Sequence, residues 1–206
     1  MPGAVGAVSE WLRDCAREFV ARSDELDELD RILGDGDHGT NMRRGTESAL
    51  TINFDEAPTA AEALRLVGMT LVSTVGGASG PLFGTFFLRA GAAWPQQVTT
   101  VGVARAMRAG LDGVVVRGRA KVGDKTMVDA LAPAADAFDD VAALGGDLRE
   151  ALTLAARAAE AGRDATKEMV AKKGRAALVA ERSVGVIDPG AVSMALILTT
   201  AAKHVR

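Results

Sequence analysis

The sequence predicts an all-α protein, a tight bundle of about eight helices. Apolar residues recur three and four positions apart along most of the 206-residue chain, and the alternating pattern of strands is nearly absent. This spacing places apolar side chains on one face of a helix. Alanine, which has the highest helix propensity, is abundant, and tyrosine is missing. Because 48% of the residues are apolar, we expect one core in a single domain over residues 1–206.

Four helices are predicted in the first half of the chain. Residues 5–32 keep helical spacing up to a glycine-rich turn, and residues 41–52 follow that turn. Residues 81–93 begin at a proline, which favours the first turn of a helix. Residues 58–75 carry one apolar stripe, which consists of Ala60, Leu64, Val67, Leu71 and Val75.

Helix start and stop signals predict four more helices in the second half. They cover residues 99–116, 126–140, 147–162 and 189–204, with an extra turn near 164–172. Val114, Val115 and Val116, at the end of the helix predicted over residues 99–116, are the best strand candidate. They complete a helical pattern, however, and are assigned to that helix. The last helix is apolar on nearly all sides and too short to span a bilayer, so we expect it in the core. Most loop glycines lie in the joints 33–40, 76–80, 117–125 and 173–188.

Charge and cysteine content exclude several classes of protein. The formal net charge is −3, so no overall field favours nucleic acid or an anionic membrane. Cys15 is the only cysteine, which excludes an internal disulfide framework. The amino terminus lacks the basic segment and apolar stretch of a secretion signal. We therefore expect a cytoplasmic protein that binds neither nucleic acid nor membranes.

Three aspartates crowd around one of the two histidines in the stretch LDRILGDGDHGTNM, residues 29–42. Asp30 falls in the last turn of the first predicted helix, and Asp35 and Asp37 lie in the turn after it. Hard divalent cations such as Mg²⁺ take oxygen ligands, typically a few carboxylates together with the phosphates of a substrate. The cluster therefore predicts one or two metal ions bridging to a phosphate chain. The same pattern also occurs in solvated turns, so the rest of the chain has to decide.

Three known loop motifs do not explain this stretch. Its glycines match the dinucleotide fingerprint, but a helix precedes them where that motif requires a strand. An EF-hand loop that begins at Asp35 would need glycine and glutamate where the chain has Thr40 and Thr46. No Walker A pattern occurs anywhere in the sequence. A bound nucleotide would therefore be held in another way.

Three helix starts contain residues suited to anions. Thr40 or Asn41 can cap the second helix, Ser79 can cap the fourth, and Asp188 can cap the last. Each is also an ordinary capping signal. Free backbone N–H groups at a helix start, with glycine allowing close approach, form a phosphate site without a lysine loop.

Two further polar segments contain residues that could bind an anion. KVGDKTMVDA, residues 121–130, contains another glycine-bearing loop, and KKGRAALVAERS, residues 172–183, contains Arg175, a candidate phosphate clamp. Lys172 and Lys173 are expected at the solvated surface. If the loops converge at one end of the bundle, they can surround one metal-bound polyphosphate.

Together these segments resemble the nucleotide-binding L subunit of the bacterial dihydroxyacetone kinases. The shared motifs are, in chain order, LDRILGDGDHGTNMRRG, GGASGPLFGTFF, KVGDKTMVDAL, KKGRA with ERS, and DPGA. The resemblance implies an eight-helix antiparallel up-down barrel with the nucleotide site at one end. It implies two Mg²⁺ ions, held by Asp30, Asp35 and Asp37 against the diphosphate of ADP or ATP. It also implies nucleotide contacts at His38, Gly39, Thr40, Asn41, Ala78, Ser79, Gly123, Met127, Arg175, Asp188, Pro189 and Gly190.

The chain departs from the family pattern near the fourth motif. The family tends to have an aromatic residue and a glycine where this sequence has Leu178 and Ala180. Val186 and Ile187 also replace more polar residues before Asp188. These differences concern the rim of the nucleotide site and the identity of the substrate, whereas the aspartate motif is intact.

The resemblance further implies partner subunits. In this family a histidine on a separate K subunit binds dihydroxyacetone covalently, and the histidines here are His38, inside the nucleotide motif, and His204, near the carboxyl terminus. In the phosphotransferase-system branch an M subunit rephosphorylates ADP, which acts as a retained cofactor. In the ATP-dependent branch the L and K parts usually share one chain. A separate L chain of this length favours the first branch.

Two alternatives remain open at this stage. The chain could serve an ATP-dependent kinase for another ketose, or it could be a non-catalytic bundle that senses metal or nucleotide and regulates a partner. A phosphohistidine relay through His38 is a further mechanistic possibility, given the pKa range of histidine.

Overall fold

A computed structural model describes residues 4–54 and 57–204. The predicted domain, residues 1–206, extends beyond these ranges and stays a prediction. Within the described ranges the protein is all-α and contains no strand, which confirms the predicted class. No helix in the described ranges is both long and apolar enough to cross a lipid bilayer.

Nine α-helices follow one another along the described residues. In chain order they are α1 (Ala4–Ala21), α2 (Ser23–Leu33), α3 (His38–Leu50), α4 (Ala60–Thr74), α5 (Ser79–Ala92), α6 (Thr100–Gly118), α7 (Met127–Ala143), α8 (Leu148–Ala165) and α9 (Pro189–Ala202). Two 3-10 segments, Thr166–Glu168 and Arg175–Ser183, lie between α8 and α9. Seven of the predicted helices match α3 to α9 to within three residues at each end.

The single helix predicted over residues 5–32 is wrong, because the chain bends at Arg22. The backbone of Arg22 has φ −110° and ψ 12°, and α2 begins at the next residue. The bend seats the start of α2 against α3, where a Cβ atom at Gly39 would lie only 1.9 Å from the carbonyl oxygen of Ser23. Glycine at position 39 therefore allows the two backbones to touch.

Side-chain caps begin five of the helices. The capping side chains accept hydrogen bonds from backbone N–H groups in the first turn, which satisfies donors that the helix itself leaves unpaired. Asp188 caps α9 by accepting from the N–H of Ala191 (2.7 Å), and Pro189 is the first helical residue, as predicted. The other four caps are Thr59, Thr99, Thr126 and Asp147.

Two predicted caps are wrong. Neither Thr40 nor Asn41 caps α3, because that helix already begins at His38, directly after the turn. Ser79 does not precede α5 but is its first residue, and no side-chain hydrogen bond caps that helix. In both cases the helix begins earlier than the sequence signals indicate. At α5 the first backbone N–H groups have no capping side chain, whereas at α3 the N–H groups of His38 and Thr40 donate to carboxylates on α2.

Each helix from α3 to α8 packs against the next one, and α1 contacts both α9 and α3. The helix contacts therefore run round the molecule in a closed series. α9 lies in the core, as predicted, since Ala191, Met194 and Ala195 have no exposed surface. The backbones of α4 and α5 are in close contact at Gly68 and Gly84. A Cβ atom at Gly84 would lie only 2.7 Å from the carbonyl oxygen of Gly68, so a larger residue would not fit there.

Candidate nucleotide and metal site

The turn between α2 and α3 is built around the Asp30 carboxylate. Its Oδ2 atom accepts hydrogen bonds from the backbone N–H groups of Gly36 (3.0 Å), Asp37 (3.0 Å) and His38 (3.3 Å). Gly36 has φ +78°, a left-handed conformation that glycine adopts without steric cost. The chain therefore folds back over the end of α2 and brings the acidic residues of the turn next to Asp30.

The three predicted metal ligands form a compact cluster. One carboxylate oxygen from each of Asp30, Asp35 and Asp37 lies within 4.8 Å of the others, and Asp35 and Asp37 are exposed. Mg²⁺ binds oxygen at 2.0–2.1 Å, so ligands on opposite sides of the ion are about 4.2 Å apart. The oxygen-only donor set and the spacing both fit a hard divalent cation, with small adjustments of side-chain rotamers.

Arg175 reaches this cluster from the 3-10 segment Arg175–Ser183. Its guanidinium Nη1 forms an ion pair with Oδ2 of Asp35, although both side chains are largely exposed. The predicted phosphate clamp therefore lies beside a predicted metal ligand. A cation bound at the cluster would compete with Arg175 for the Asp35 carboxylate.

His38 joins the start of α3 to two other helices. Its Nδ1 lies 3.0 Å from the hydroxyl of Ser79 on α5, and its Nε2 lies 2.8 Å from the hydroxyl of Ser193 on α9. Burial lowers the pKa of His38, although the nearby aspartates, Asp30 foremost, oppose this shift. In the neutral imidazole, one of these nitrogens donates and the other accepts. Both nitrogens are already engaged, which disfavours a phosphohistidine relay.

The four glycine-rich joints converge on one open cavity of about 460 Å³. This volume lies within the usual range of small-molecule sites. Twelve of the fifteen predicted site residues line it: Asp30, Asp35, Asp37, His38, Asn41, Ala78, Ser79, Met127, Arg175, Asp188, Pro189 and Gly190. The cavity is therefore surrounded by the aspartate cluster and by the first residues of α3, α5, α7 and α9.

Comparison with known proteins agrees with this geometry. The family model of the DAK2 domain matches residues 32–203, which is most of the chain. The chain belongs to the DAK2-domain family. The matched range begins near the end of α2, just before the turn that carries Asp35 and Asp37, and ends just after α9.

Two curated relatives resemble this DAK2 domain over nearly their whole length. The ADP-binding subunit DhaL of the PEP-dependent dihydroxyacetone kinase of Escherichia coli K12 is 41% identical over 207 residues, covering 96% of this chain and 97% of the relative. The ADP-binding subunit DhaL of the PTS-dependent dihydroxyacetone kinase of Lactococcus lactis is 37% identical, covering 93% of each chain.

A solved structure resembles the same DAK2 domain. The dihydroxyacetone kinase of C. freundii in complex with AMP-PNP and Mg²⁺ superposes with a TM-score of 0.68 at 28% identity. The match covers 98% of this chain but 33% of that longer chain.

Asp188 is the buried acid of the DAK2 cavity. Its Oδ2 caps α9, and its backbone N–H donates to Oγ1 of Thr166 (3.0 Å). Burial raises the pKa of Asp188 to about 7, with Asp129 adding to the shift, while the cap bond and Lys125 oppose it. The carboxyl group therefore titrates near neutrality in the absence of a bound cation.

Three predicted nucleotide contacts do not line the cavity. The backbone N–H and hydroxyl of Thr40 donate to the carboxylate of Asp27 on α2 (2.9 and 2.6 Å). Gly39 packs against α2, as described above. The carbonyl of Gly123 accepts from Nζ of Lys172 (3.0 Å), and its φ of +89° needs glycine. Nucleotide contact by these residues stays a prediction.

Several cavity residues were not assigned from the sequence. Lys173 lines the cavity and is only partly exposed, so its placement at the solvated surface is wrong. Two more unpredicted cations border the cavity, Arg117 on the last turn of α6 and Lys125 in the loop before α7. The apolar wall had no signal beyond helical spacing, because its side chains, among them Leu82, Phe83 and Val114, look like ordinary core residues in the sequence.

Proposed function

We propose that this chain is the ADP-binding subunit of a phosphoenolpyruvate-dependent dihydroxyacetone kinase. One observation carries the proposal: the carboxylate cluster and the starts of four helices meet at a single cavity, in a chain 41% identical over nearly its whole length to the ADP-binding subunit DhaL of E. coli. In finer detail, we propose an eight-helix antiparallel barrel with this cavity at one end. The closed series of helix contacts supports that arrangement, with α2 as an additional helix beside the turn.

The cavity offers a suitable group for each part of Mg-ADP. Asp30, Asp35 and Asp37 would hold two Mg²⁺ ions. The start of α5, which has no side-chain cap, and the start of α9 both border this space, and the positive ends of these helices suit phosphate oxygens. Arg175 and Lys173 add mobile positive charge at the mouth. The apolar wall of Leu82, Phe83, Val114, Met127 and Val128 suits the adenine ring.

Phosphoryl transfer asks the protein mainly to position groups and to neutralise charge. Bound Mg²⁺ supplies the neutralisation, because it offsets the negative charge of the phosphate oxygens. The described residues would contribute the carboxylates that hold the metal and the helix starts that bind the diphosphate. His38 is tied to two hydroxyl groups, and the described part of the cavity presents no other histidine.

The proposal therefore includes two partner proteins. A K subunit would bind dihydroxyacetone and receive the phosphoryl group, and an M subunit of the phosphotransferase system would return ADP to ATP in place. The names of the E. coli and L. lactis relatives, which identify subunits of PEP- and PTS-dependent kinases, support this assignment. A cytoplasmic location and the absence of nucleic-acid and membrane partners belong to the same proposal, and the net charge of −3 supports them.

The deciding experiment is a reconstituted transfer assay. Phosphoenolpyruvate, the general phosphotransferase proteins, K and M subunits and dihydroxyacetone are mixed with or without this chain, and dihydroxyacetone phosphate is measured. We expect product only when the chain and a catalytic amount of ADP are present. Equal product without the chain would favour a sensor role. Product that requires stoichiometric ATP, or that forms only with another ketose, would favour an ATP-dependent kinase of different specificity.

A further inference from the structure

Lys125, in the loop between α6 and α7, is a lysine whose side chain lies inside the protein. It is 1% exposed, and its Nζ donates to three backbone carbonyls, those of Thr166 (2.6 Å), Met169 (3.2 Å) and Val186 (2.6 Å). An ammonium group has three N–H donors, so this arrangement uses all of them. The described contacts leave no donor of Lys125 for a bound phosphate.

The three carbonyls belong to both ends of the segment that joins α8 to α9. We call residues 166–187 the strap. Thr166 and Met169 lie at its beginning and Val186 at its end, so the ammonium group of Lys125 fastens the two ends to the loop before α7. The strap carries four of the residues that line the cavity: Lys173, Gly174, Arg175 and Ala176.

Few other hydrogen bonds hold the strap in place. The N–H of Gly185 donates to the carbonyl of Lys167 (2.7 Å), and the N–H of Lys172 donates to the carbonyl of Asp124 (3.0 Å). The hydroxyl of Ser183 accepts from the N–H of Ala171 (2.8 Å). The middle of the strap is largely exposed, and it is also held by the Arg175–Asp35 ion pair and by the bond from Nζ of Lys172 to the carbonyl of Gly123 (3.0 Å). Its path over the cavity therefore depends on these contacts and on the fastening at its ends.

A buried positive charge is costly unless hydrogen bonds and opposite charges compensate it. The carbonyls provide the hydrogen bonds, and the carboxylates of Asp188, Glu168 and Asp129 act favourably on the charge. An apolar side chain of the same length would avoid the cost of burying a charge but could not bind three carbonyl oxygens. The positive charge is therefore suited to holding backbone rather than to filling space.

We propose that Lys125 is a positioning residue for nucleotide binding: its ammonium group fixes the strap, and the strap places Arg175 and Lys173 over the diphosphate. This inference rests on the proposed function, since it assigns the site to a nucleoside diphosphate. Lys125 also borders the cavity, but because its three ammonium donors are used by carbonyls, it would set the affinity for the nucleotide through the strap rather than by binding a phosphate.

The test compares ADP binding, in the presence of Mg²⁺, between wild-type protein and Lys125→Met by titration calorimetry. We expect at least a tenfold loss of affinity with unchanged helix content by circular dichroism. Lys121→Met, at an exposed lysine of the same loop, is the matched control and should stay within twofold of wild type. A Lys125→Met variant that also stays within twofold would overturn the proposal.

Chemical rescue separates positioning by the charge from simple loss of packing. Lys125→Ala leaves a space that matches propylammonium, which restores the ammonium group and the missing carbons. We expect propylammonium to restore ADP affinity at least threefold, whereas 1-propanol, which fills the same space without charge, should not. Equal rescue by both additives would mean that Lys125 only fills volume, and the proposal would be wrong.

A measurement on the strap itself keeps this inference separate from the proposed function. Hydrogen exchange at the amides of Lys172 and Gly185 should be at least tenfold faster in Lys125→Ala than in wild type, and propylammonium should slow it again. This result is expected even if wild-type protein binds no ADP, which would refute the proposed function alone. Unchanged exchange would refute the fastening of the strap.

Wild-type protein provides a test that does not depend on any variant folding. In protein labelled with ¹⁵N-lysine, the ammonium group of Lys125 should give a slowly exchanging signal, because its protons are bound to carbonyls and shielded from water. An ammonium signal that exchanges as fast as those of the surface lysines would contradict the observed burial and overturn the proposal.

Discussion

The three aspartates of the cluster share one chemical type but make different contacts. Asp30 builds the turn, because its Oδ2 accepts three backbone N–H groups, so its replacement would change the backbone as well as the charge. Asp35 is exposed, and its carboxylate is paired with Arg175. The charge of the cluster can therefore be altered at Asp35 with little effect on the fold.

Asp35→Asn should weaken Mg²⁺-dependent ADP binding at least tenfold. The amide keeps the size of the side chain but removes one of the negative charges that attract the cation, and metal sites depend on deprotonated ligands. The free energy of unfolding should change by less than about 0.5 kcal/mol, since exposed ion pairs contribute little. Calorimetric titration with ADP at fixed Mg²⁺, together with urea unfolding, measures both quantities.

Asp24→Asn is the matched control for this substitution. Asp24 is an exposed acidic residue in the first turn of α2, so its replacement removes the same charge at a position outside the cluster. It should leave ADP affinity within twofold of wild type. Unchanged ADP binding in Asp35→Asn would remove Asp35 from the metal site.

Asp188 makes stability depend on pH in a direction opposite to that of most carboxylates. Its pKa in the folded protein is raised to about 7 from the ordinary value of 3.8, so the folded state holds the proton more firmly than the unfolded state does. The contribution of protonated Asp188 to the free energy of unfolding is therefore fully present below pH 3.8. It is lost as pH rises toward 7, and the free energy of unfolding then falls by up to ~1.4 kcal/mol per pH unit.

Asp188→Asn should remove this contribution. Asparagine is neutral at all these pH values and also caps helices well, so the start of α9 should be preserved. In metal-free buffer, the free energy of unfolding of the variant minus that of wild type should be larger at pH 7 than at pH 5, by about 1 kcal/mol or more. Urea unfolding at several pH values measures the difference, and a constant difference would show that Asp188 is ionised throughout this range.

At the scale of the elements, the 3-10 segment Arg175–Ser183 contains a strained position. Ala180 has φ +46° and ψ −122°, a conformation that favours glycine, and this is where the resembled family tends to have glycine. A non-glycine residue in such a region costs of order 1–3 kcal/mol. The structure therefore gives a backbone reason for the glycine of the family pattern.

Ala180→Gly should raise the free energy of unfolding by about 1 kcal/mol. The relief of strain exceeds the entropy that glycine adds to the unfolded chain, which is worth about 0.4–1 kcal/mol. Ala177→Gly, in the same segment but with helical backbone angles, is the control and should lower stability by about 0.5–1 kcal/mol. Equal losses in both variants, measured by urea unfolding, would show that position 180 carries no strain.

The elements that sequence predicted well are those defined by local signals. Helical spacing and capping residues such as Thr126 and Asp188 act within a few positions, and α4 to α9 appear close to where these signals indicate. The bend at Arg22 was not predicted, because helical spacing continues through it and does not show that the start of α2 packs against Gly39. Likewise, nothing local shows that Thr40 bonds to Asp27 or that Lys125 holds the strap.

In the candidate site, too, the residues marked by a local pattern were predicted, and those placed by distant packing were not. The aspartate cluster was predictable, because its three members lie within eight positions and share one ligand chemistry. The resemblance to known motifs then predicted which distant loops share the cavity. Lys173 and Arg117 were not predicted, since only the packing of their elements turns an ordinary surface cation toward the cavity.

At the scale of the whole molecule, the cavity joins parts of the chain that are far apart in sequence. Its lining comes from the α2–α3 turn, the start of α5, the end of α6, the start of α7, the strap and the start of α9. A ligand bound there would contact both halves of the chain at once. Since such a ligand binds the folded state and not the unfolded one, it should stabilise the entire fold.

Mg²⁺ and ADP together should therefore raise the melting temperature by roughly 5–10 °C. A ligand at one hundred times its Kd stabilises the fold by ~2.7 kcal/mol, and each kcal/mol is worth about 2–4 °C for a chain of this size. The shift should disappear when EDTA removes the metal, because the phosphates would then face an uncompensated carboxylate cluster. It should be smaller with AMP, which lacks the second phosphate. Differential scanning calorimetry provides the measurement, and an undiminished shift in EDTA would show that the nucleotide binds without the aspartates.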